Sequence, residues 1–251
     1  MGRHGHDEAR EKEGRMKKDP LDEFEFYPPF EGFPSEGIGF LKRLKKNNNR
    51  NWFQKHKEEY EELVKLPMQS LIVEMGSYFH EFDPEFEAHP KRSLFRIYRD
   101  VRFSKDKRPY KTHVAAHFVR RGKPKGLEGL GYYLHIEPGE VFLGAGIYIP
   151  SGDQLKKIRA AMVSRSKEFL DIVGDRKLKR VFGPIEGEKL KRIPQGYDPD
   201  HPMGEWLKHK QFWVGVSWPE KKSHPQKFAR EAAGTFKIAA PLVGFLTRAL
   251  S

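Results

Sequence analysis

The chain has 251 residues, of which 37% are hydrophobic and 13% aromatic, enough apolar material for a sizeable core and too much for wholesale disorder. Its formal net charge of +12 favours polyanionic or phosphorylated partners. It contains no cysteine, which excludes disulfides, thiolate metal sites and a cysteine nucleophile. We therefore expect a soluble protein of the reducing cytoplasm.

The charge is distributed unevenly along the chain. Residues 1–26 carry both signs of charge without apolar periodicity, which predicts a disordered tail ahead of a single domain at 27–251. Residues 51–88 carry three Lys or Arg against nine Asp or Glu, whereas residues 90–126 carry 13 against two. The basic segment therefore needs a counter-charge, either from an anionic ligand or from the acidic segment before it.

The first part of the predicted domain has helical periodicity. Residues 35–46 are amphipathic, and apolar positions recur at helical spacing from Trp52 to Phe82, with an interruption at Pro67. The longest apolar run, residues 238–246, is too short to span a bilayer, so no membrane association is expected.

The period changes to two in the basic segment. Residues 95–103 read as a strand, residues 104–110 as a loop, and residues 111–119 as a second strand. The alternation predicts that one face of this second strand carries Lys111, His113, Ala115, His117 and Val119.

The clearest hairpin pattern is at residues 132–150, with Pro138 and Gly139 at the turn. A two-residue turn places Glu137 opposite Glu140, and His135 opposite Phe142. Like charges directly opposite each other are unfavourable. The pair therefore indicates a salt-bridge partner, a bound cation or an exposed turn.

The C-terminal half mixes both periods. Residues 151–175 read as a helix, 178–184 as a short strand, 212–218 as a strand and 225–250 as a helical tail, with a short helix after Pro202. The predicted fold class is α+β, with an antiparallel or mixed central sheet and helices from the N-terminal, middle and C-terminal segments.

The main functional prediction is a basic cleft that binds a phosphorylated or other anionic small molecule. Guanidinium groups grip phosphate or carboxylate bidentately, and lysines add point charges. Arg96 and Arg102, about 20 Å apart on an extended strand, cannot hold one phosphate together. The predicted anion-binding residues are Arg96, Arg99, Arg102, Lys105, Lys107, Tyr110 and Lys111.

Two alternatives stay open. A nucleic-acid surface could form over residues 95–126, where Phe95, Tyr98, Phe103 and Tyr110 alternate with basic residues as in a stacking surface. A scaffold without a ligand could instead pair the basic segment with the acidic helices at 51–88.

Further titratable residues are predicted to complete the cleft. His135 and Glu137, two residues apart on one strand face, are the candidate catalytic acid–base pair. Cations beside Asp100 and Asp106 depress their pKa, which suits them to orienting neighbours. The other supporting candidates are Tyr133, Tyr197, Asp198 and His201. Asp198 and His201 could bind a cation, but residues of these types before a helix more often cap it or close a turn.

The spacing predicts no metal site from the strand histidines. His113 and His117 stand about 13 Å apart at strand rise, too far for two ligands of one ion. No nucleotide-binding or hydrolase motif is present, so the cofactor, and whether the protein is an enzyme, stay open.

Three segments carry a family resemblance: "FRIYRDVRFSKDKRPYKTH", "GYYLHIEPGEVFLGAGIYIP" and "IPQGYDPDHPMGEWLKHKQF". With "NNNRNWFQKHKEEYEELV" and "PLVGFLTRAL", they make residues 27–250 resemble the domain-of-unknown-function family 2461, which occurs in bacteria and fungi. The resemblance implies a single α+β domain. It implies no activity and supplies no catalytic residues.

Overall fold

A five-stranded antiparallel sheet runs through the middle of the fold. The computed structural model describes residues 27–251 except 103, 124, 127, 128 and 186, so the predicted tail lies outside the described residues. Helices precede, separate and follow the strands, and the fold class is α+β, as the sequence predicts. In order across the sheet, the strands are β1 (Phe86–Glu87), β2 (Val114–Arg120), β3 (Leu130–Glu137), β4 (Glu140–Ile147) and β5 (Phe212–Pro219).

Helices precede the sheet along the chain. Asn49 caps the second of them by accepting a hydrogen bond from the Trp52 amide at 2.9 Å. Pro67 lies in the first turn of the fourth, a position that tolerates the missing N–H of proline. The elements are α1 (Ser35–Lys46), α2 (Arg50–Lys55), α3 (Lys57–Tyr60), a π-helical turn (Glu61–Lys65) and α4 (Leu66–Phe82).

The helical segments after β4 begin with the predicted cap. Ser151 and Gln154 exchange hydrogen bonds with each other's backbone N–H in a capping box. In the described part of the chain, none of the helices has the length and apolar character needed to cross a membrane. These segments are α5 (Gly152–Ser164), α6 (Ser166–Gly174), α7 (Arg176–Phe182), α8 (Gly204–Leu207), a 3-10 turn (Glu220–Ser223) and α9 (Phe228–Leu250).

The strand predicted at 95–103 is wrong. The chain there makes isolated bridges, Leu94 with Ala116 and Tyr98 with Tyr110, and leaves the sheet between them. Beyond Phe95 the segment pairs with residues 109–111, since the Arg99 and Lys111 amides donate to the Pro109 and Ile97 carbonyls. The alternating pattern therefore describes an extended crossing segment and not a member of the sheet.

The strand predicted at 178–184 is also wrong, because most of that segment belongs to α7. The Asp175 side chain caps this helix by accepting from the Leu178 amide at 2.8 Å. Leu178 and Phe182, four residues apart, are both buried. The segment is too short for its periodicity to distinguish a strand from a helix. The Asp175 cap and the helical spacing of two buried side chains favour the helix.

One face of the sheet forms the core with α4 and α9. The rings of Phe79, Phe118, Tyr132 and Phe236 meet there, with the Phe79 and Phe118 centroids 4.9 Å apart. The Tyr132 hydroxyl donates to Asp83 Oδ2 at 2.6 Å, so the buried phenol is satisfied. The other face of the sheet does not pack against α4 and α9 in the described structure.

Candidate functional site

The second face of the sheet carries polar and aromatic side chains from three adjacent strands. Register pairs His117 with Tyr133, Tyr133 with Gly144, and His135 with Phe142. Residues paired across strands share a face, so these side chains lie side by side. The predicted hairpin and its Pro138–Gly139 turn are confirmed by this register.

The crossing segment, residues 94–102 and 104–113, covers part of this face with its two ends, where Phe95, Lys111 and His113 lie. The Phe95 ring centroid lies 6.4 Å from that of His117 and 6.2 Å from that of Tyr133, and the His113 ring lies 5.3 Å from that of His135. A cavity of about 600 Å³ is left between the cover and the sheet. It is lined by Phe95, Lys111, His113, Ala115, His117, Gly126, Gly129, Gly131, Tyr133, His135, Glu140, Phe142, Gly144, Ala145, Gly146, Tyr148 and Trp213.

Two other hollows, of about 530 and 540 Å³, lie beside α6 and α9. Their described lining is aliphatic and charged, without a histidine or an aromatic ring. Convergent polar groups in an apolar cavity distinguish ligand sites from surface hollows. The sheet-face cavity is therefore the candidate site.

Glycines let aromatic rings form one wall of the cavity. Gly144 and Gly215 are paired between β4 and β5. A Cβ atom at Gly215 would lie 2.6 Å from Phe142 Cζ and 2.7 Å from the Trp213 ring. A side chain there would displace both rings, so glycine allows Phe142 and Trp213 to lie directly against the backbone.

The cavity histidines are held neutral. Burial, followed by nearby positive charge, lowers the pKa of His113 and of His117 to about 4. His117 Nδ1 accepts a hydrogen bond from the Gly126 amide at 3.0 Å, which fixes the ring as an acceptor on that side. At neutral pH these rings offer hydrogen bonds to a ligand and no charge.

Two ring nitrogens of lining residues lack partners. Among the described residues, His135 Nε2 and Trp213 Nε1 are buried and make no hydrogen bond. Leaving a buried donor or acceptor unpaired is costly, and each such group in a native structure calls for a partner. A bound molecule or ion in the cavity would supply one.

Lys111 provides the positive charge of the cavity. Its half-buried ammonium donates to the Arg96 carbonyl at 3.0 Å and lies 4.9 Å from the Phe95 ring centroid. Lys125 Nζ lies 5.2 Å from the same centroid. Burial, then the charges of Arg96 and Lys125, lower the pKa of Lys111, so an anion at this end of the cavity would stabilise the ammonium.

Three arginines of the crossing segment are paired locally. Arg99 and Arg108 both contact the Asp106 carboxylate, and Arg102 pairs with Asp100 at 2.7 Å. The Arg102 guanidinium lowers the pKa of Asp100 to about 2, and Arg108 and Arg99 lower that of Asp106 further below its ordinary value. Both aspartates therefore stay ionised and orient their arginines.

The seven predicted anion-binding residues are all described, and only Lys111 lines the cavity. Arg96 and Lys105 are exposed, and Lys107 Nζ donates to the Val101 carbonyl at 3.0 Å. Tyr110 is buried in the core, stacked on Phe53 with centroids 4.1 Å apart. The structure thus separates Lys111 from the arginine cluster.

The predicted catalytic pair and Tyr133 do come together at the end of the hairpin. His135 Nδ1 is 3.3 Å from the Tyr133 hydroxyl, and His135 Nε2 is 3.9 Å from Glu137 Oε1. Burial, then the Glu140 charge, raise the pKa of Glu137, and burial raises that of Tyr133 to about 12. This cluster adjoins the cavity through His135 and Glu140.

The 196–201 loop is not part of this cavity. Asp198 accepts from the Asp200 amide at 2.8 Å, and His201 Nδ1 accepts from the Met203 amide at 3.0 Å. The Tyr197 ring packs against the hydrophobic core. These side chains close a turn, and they stand outside the lining.

Sequence reasoning missed the aromatic wall of Phe142 and Trp213. A signal for Phe142 existed, because the hairpin register places it opposite His135. The signal for Trp213 was weaker, since nothing local pairs the strand at 212–218 with β4. Only the assembled sheet brings the two rings together, with centroids 6.1 Å apart.

Comparison with protein families gives one match, to the conserved hypothetical protein family DUF2461, over residues 36–245. The chain belongs to this family. No curated protein and no solved structure gives a significant match. The matched region contains every described strand and every residue that lines the cavity, so the candidate site lies within the family domain.

Proposed function

We propose that this protein binds a small anionic molecule with an aromatic or apolar body in the sheet-face cavity. The observation that carries the proposal is the combination of aromatic walls with the half-buried ammonium of Lys111 in one cavity of about 600 Å³. Cavities of roughly 300–1,000 Å³ suit small ligands.

The cations around Phe95 favour a negatively charged ligand. Lys111 and Lys125 both lie over this ring, and among the described residues their hydrogen bonds go to backbone carbonyls and not to carboxylates. Burial disfavours an ammonium without a counter-ion. A carboxylate or phosphate oxygen of the ligand would supply the counter-charge.

The wall formed by Phe142 and Trp213 favours a ligand with an aromatic or apolar body. Phe142 and Trp213 lie over the glycine backbone and present ring surface to the cavity. Trp213 Nε1 adds a donor without a partner in the described chain. A flat ligand stacked on this wall would bury apolar surface and could accept this hydrogen bond.

The experiment is a thermal-shift and calorimetric comparison of three probes in the presence of a chelator. Phenyl phosphate combines body and charge, inorganic phosphate has only charge, and benzyl alcohol has only body. We expect phenyl phosphate to stabilise the protein more than either of the others. Trp213→Phe should weaken its binding about fivefold by removing the Nε1 donor.

Trp52→Phe is the matched control, because Trp52 is half-buried on α2 and stacks on His56 away from the cavity. It should leave the affinity for phenyl phosphate unchanged. The absence of any shift with phenyl phosphate, or an equal loss in both tryptophan variants, would refute the proposal.

A nucleic-acid surface receives less support from the geometry. Three arginines of the basic segment already contact Asp100 or Asp106. Of the aromatic residues expected to stack on bases, Tyr110 is buried and Phe95 lines the cavity, whereas Tyr98 is 46% exposed. The fourth, Phe103, lies outside the described residues. Single-strand stacking needs several exposed rings in a row. A gel-shift titration at low salt tests this alternative.

A further inference from the structure

Three potential ligand groups converge at the β3–β4 turn. One nitrogen of His135 and one carboxylate oxygen each of Glu137 and Glu140 all lie within 4.8 Å of one another. The two-residue turn forces the carboxylates together, since Glu137 and Glu140 are directly opposite in the register. Each of the three side chains is partly buried, so water screens their repulsion only in part.

His135 supplies a second, independent observation. Its Nε2 atom is buried and has no hydrogen-bond partner among the described residues. The distance of 3.9 Å from Nε2 to Glu137 Oε1 is too long for a hydrogen bond but short enough for both atoms to bind one ion. The Tyr133 hydroxyl at Nδ1 can accept from that nitrogen and leave the Nε2 lone pair available.

We propose that His135, Glu137 and Glu140 bind a divalent transition-metal ion. This inference goes beyond the proposed anion binding and does not depend on it. A tetrahedral ion about 2.0–2.2 Å from each ligand atom requires those atoms to lie roughly 3.3–3.6 Å apart. The three ligand atoms lie within 4.8 Å of one another, so side-chain shifts of about 1 Å bring them to that spacing.

The neighbouring groups described for Glu137 and Glu140 do not neutralise the two carboxylates. Lys45 acts on Glu137 from a distance, and no salt bridge joins the two side chains among the described residues. Ser217 donates a hydrogen bond to Glu140 Oε1, which orients that carboxylate without neutralising it. A doubly charged ion would remove the repulsion that these neighbours leave.

The donor set indicates which metals bind. One imidazole with two carboxylates suits Mn²⁺, Fe²⁺, Co²⁺ or Zn²⁺, whereas Ca²⁺ and Mg²⁺ prefer oxygen ligands alone. Three protein ligands leave coordination positions open. Because His135 and Glu140 also line the cavity, those positions would be accessible from it.

The experiment is a titration of chelator-treated protein with Co²⁺, Mn²⁺, Zn²⁺, Ca²⁺ and Mg²⁺, without any anionic probe. Calorimetry gives the affinity, and the visible spectrum of Co²⁺ reports nitrogen and oxygen ligation directly. The background is the His4→Gln, His6→Gln chain, because these two N-terminal histidines could bind the same ions. The cluster variants are His135→Gln, Glu137→Gln and Glu140→Gln.

We expect saturable one-site binding of Co²⁺, Mn²⁺ and Zn²⁺, weakened at least about tenfold by each cluster variant. His80→Gln and Glu81→Gln, both exposed on α4, are the matched controls and should stay within about twofold of the background. Far-UV circular dichroism checks folding, and Glu140→Gln still tests the site if His135→Gln unfolds.

Two results would overturn the metal site: no saturable binding of any of the three transition metals, or equal affinity in the cluster variants and controls. Neither result bears on anion binding at Lys111, which is measured in chelator. Failure of one proposal is therefore distinguishable from failure of the other.

Discussion

The arginine cluster of the crossing segment (Arg99, Arg102 and Arg108) and the sheet-face cavity both contain positive charge, but the charge is compensated differently in the two regions. In the cluster, Asp100 and Asp106 lie within a few residues of the arginines that they neutralise. In the cavity, Lys111 is half-buried and donates to a carbonyl. Charge density along the sequence identifies the arginine cluster. The cavity is identified by a half-buried ammonium group, that of Lys111, which has no carboxylate partner among the described residues.

Burial explains the difference. Arg102 has a side chain 76% exposed and Asp100 one 47% exposed, so water solvates this pair and its contribution to stability is small. Groups in the cavity lose water without gaining equivalent partners, as His113, His117 and Lys111 show by their lowered pKa values. Function is therefore expected where the cost of burial is not offset locally.

The largest expected effect is a loss of folding stability when the pH falls, which arises from a buried histidine of the cavity and not from the arginine cluster. The pKa of His117 is lowered to about 4 in the folded state, whereas an unfolded histidine titrates near 6.5. Between these values the unfolded state binds more protons, so stability is fully present above about pH 6.5 and is lost as the pH falls toward 4. From pH 7 to pH 5, His117 alone should account for a loss of about 2 kcal/mol.

Urea unfolding at pH 7 and pH 5 measures this loss. Since other buried histidines also contribute, His117→Gln should reduce the loss by about 2 kcal/mol without abolishing it. The exposed His80→Gln variant should not reduce it. A pH dependence identical in wild type and His117→Gln would mean that the imidazole is not held neutral by burial.

A smaller effect, on the affinity for DNA, is expected when the carboxylates that neutralise the arginine cluster are removed. The double variant Asp100→Asn, Asp106→Asn removes the carboxylates that Arg99, Arg102 and Arg108 contact. Its affinity for duplex DNA at low salt should rise roughly tenfold, and the salt slope should steepen by about 2. If the double variant binds DNA no better than wild type, the aspartates are not what neutralises this surface.

The hairpin and one face of β2 could be predicted from the sequence because their signals are local. The Pro138–Gly139 turn fixes the register from Glu137 and Glu140 back to His135 and Phe142. Alternation predicts Lys111, His113, Ala115, His117 and Val119 on one side, and the first four of these line the cavity.

The rest of the site depends on contacts between distant parts of the chain. Nothing within residues 95–103 records that the chain leaves the edge of β2 after Phe95 and pairs with residues 109–111 instead. The sequence likewise leaves open whether Arg99 meets a ligand or Asp106, because the loop between them decides it. Periodicity predicts which face a side chain takes, and tertiary structure decides what it meets there.

The central claim is that the cavity, and not the arginine cluster, supplies the charge that binds an anion. Calorimetric titration of phenyl phosphate into Lys111→Met and Lys107→Met tests it most directly, since both lysines donate to a backbone carbonyl at 3.0 Å but only Lys111 lines the cavity. We predict that Lys111→Met weakens binding about 10- to 100-fold, while Lys107→Met and Arg102→Ala stay within about twofold of wild type. Equal affinity in Lys111→Met and wild type, or a larger loss in Arg102→Ala, would contradict the claim.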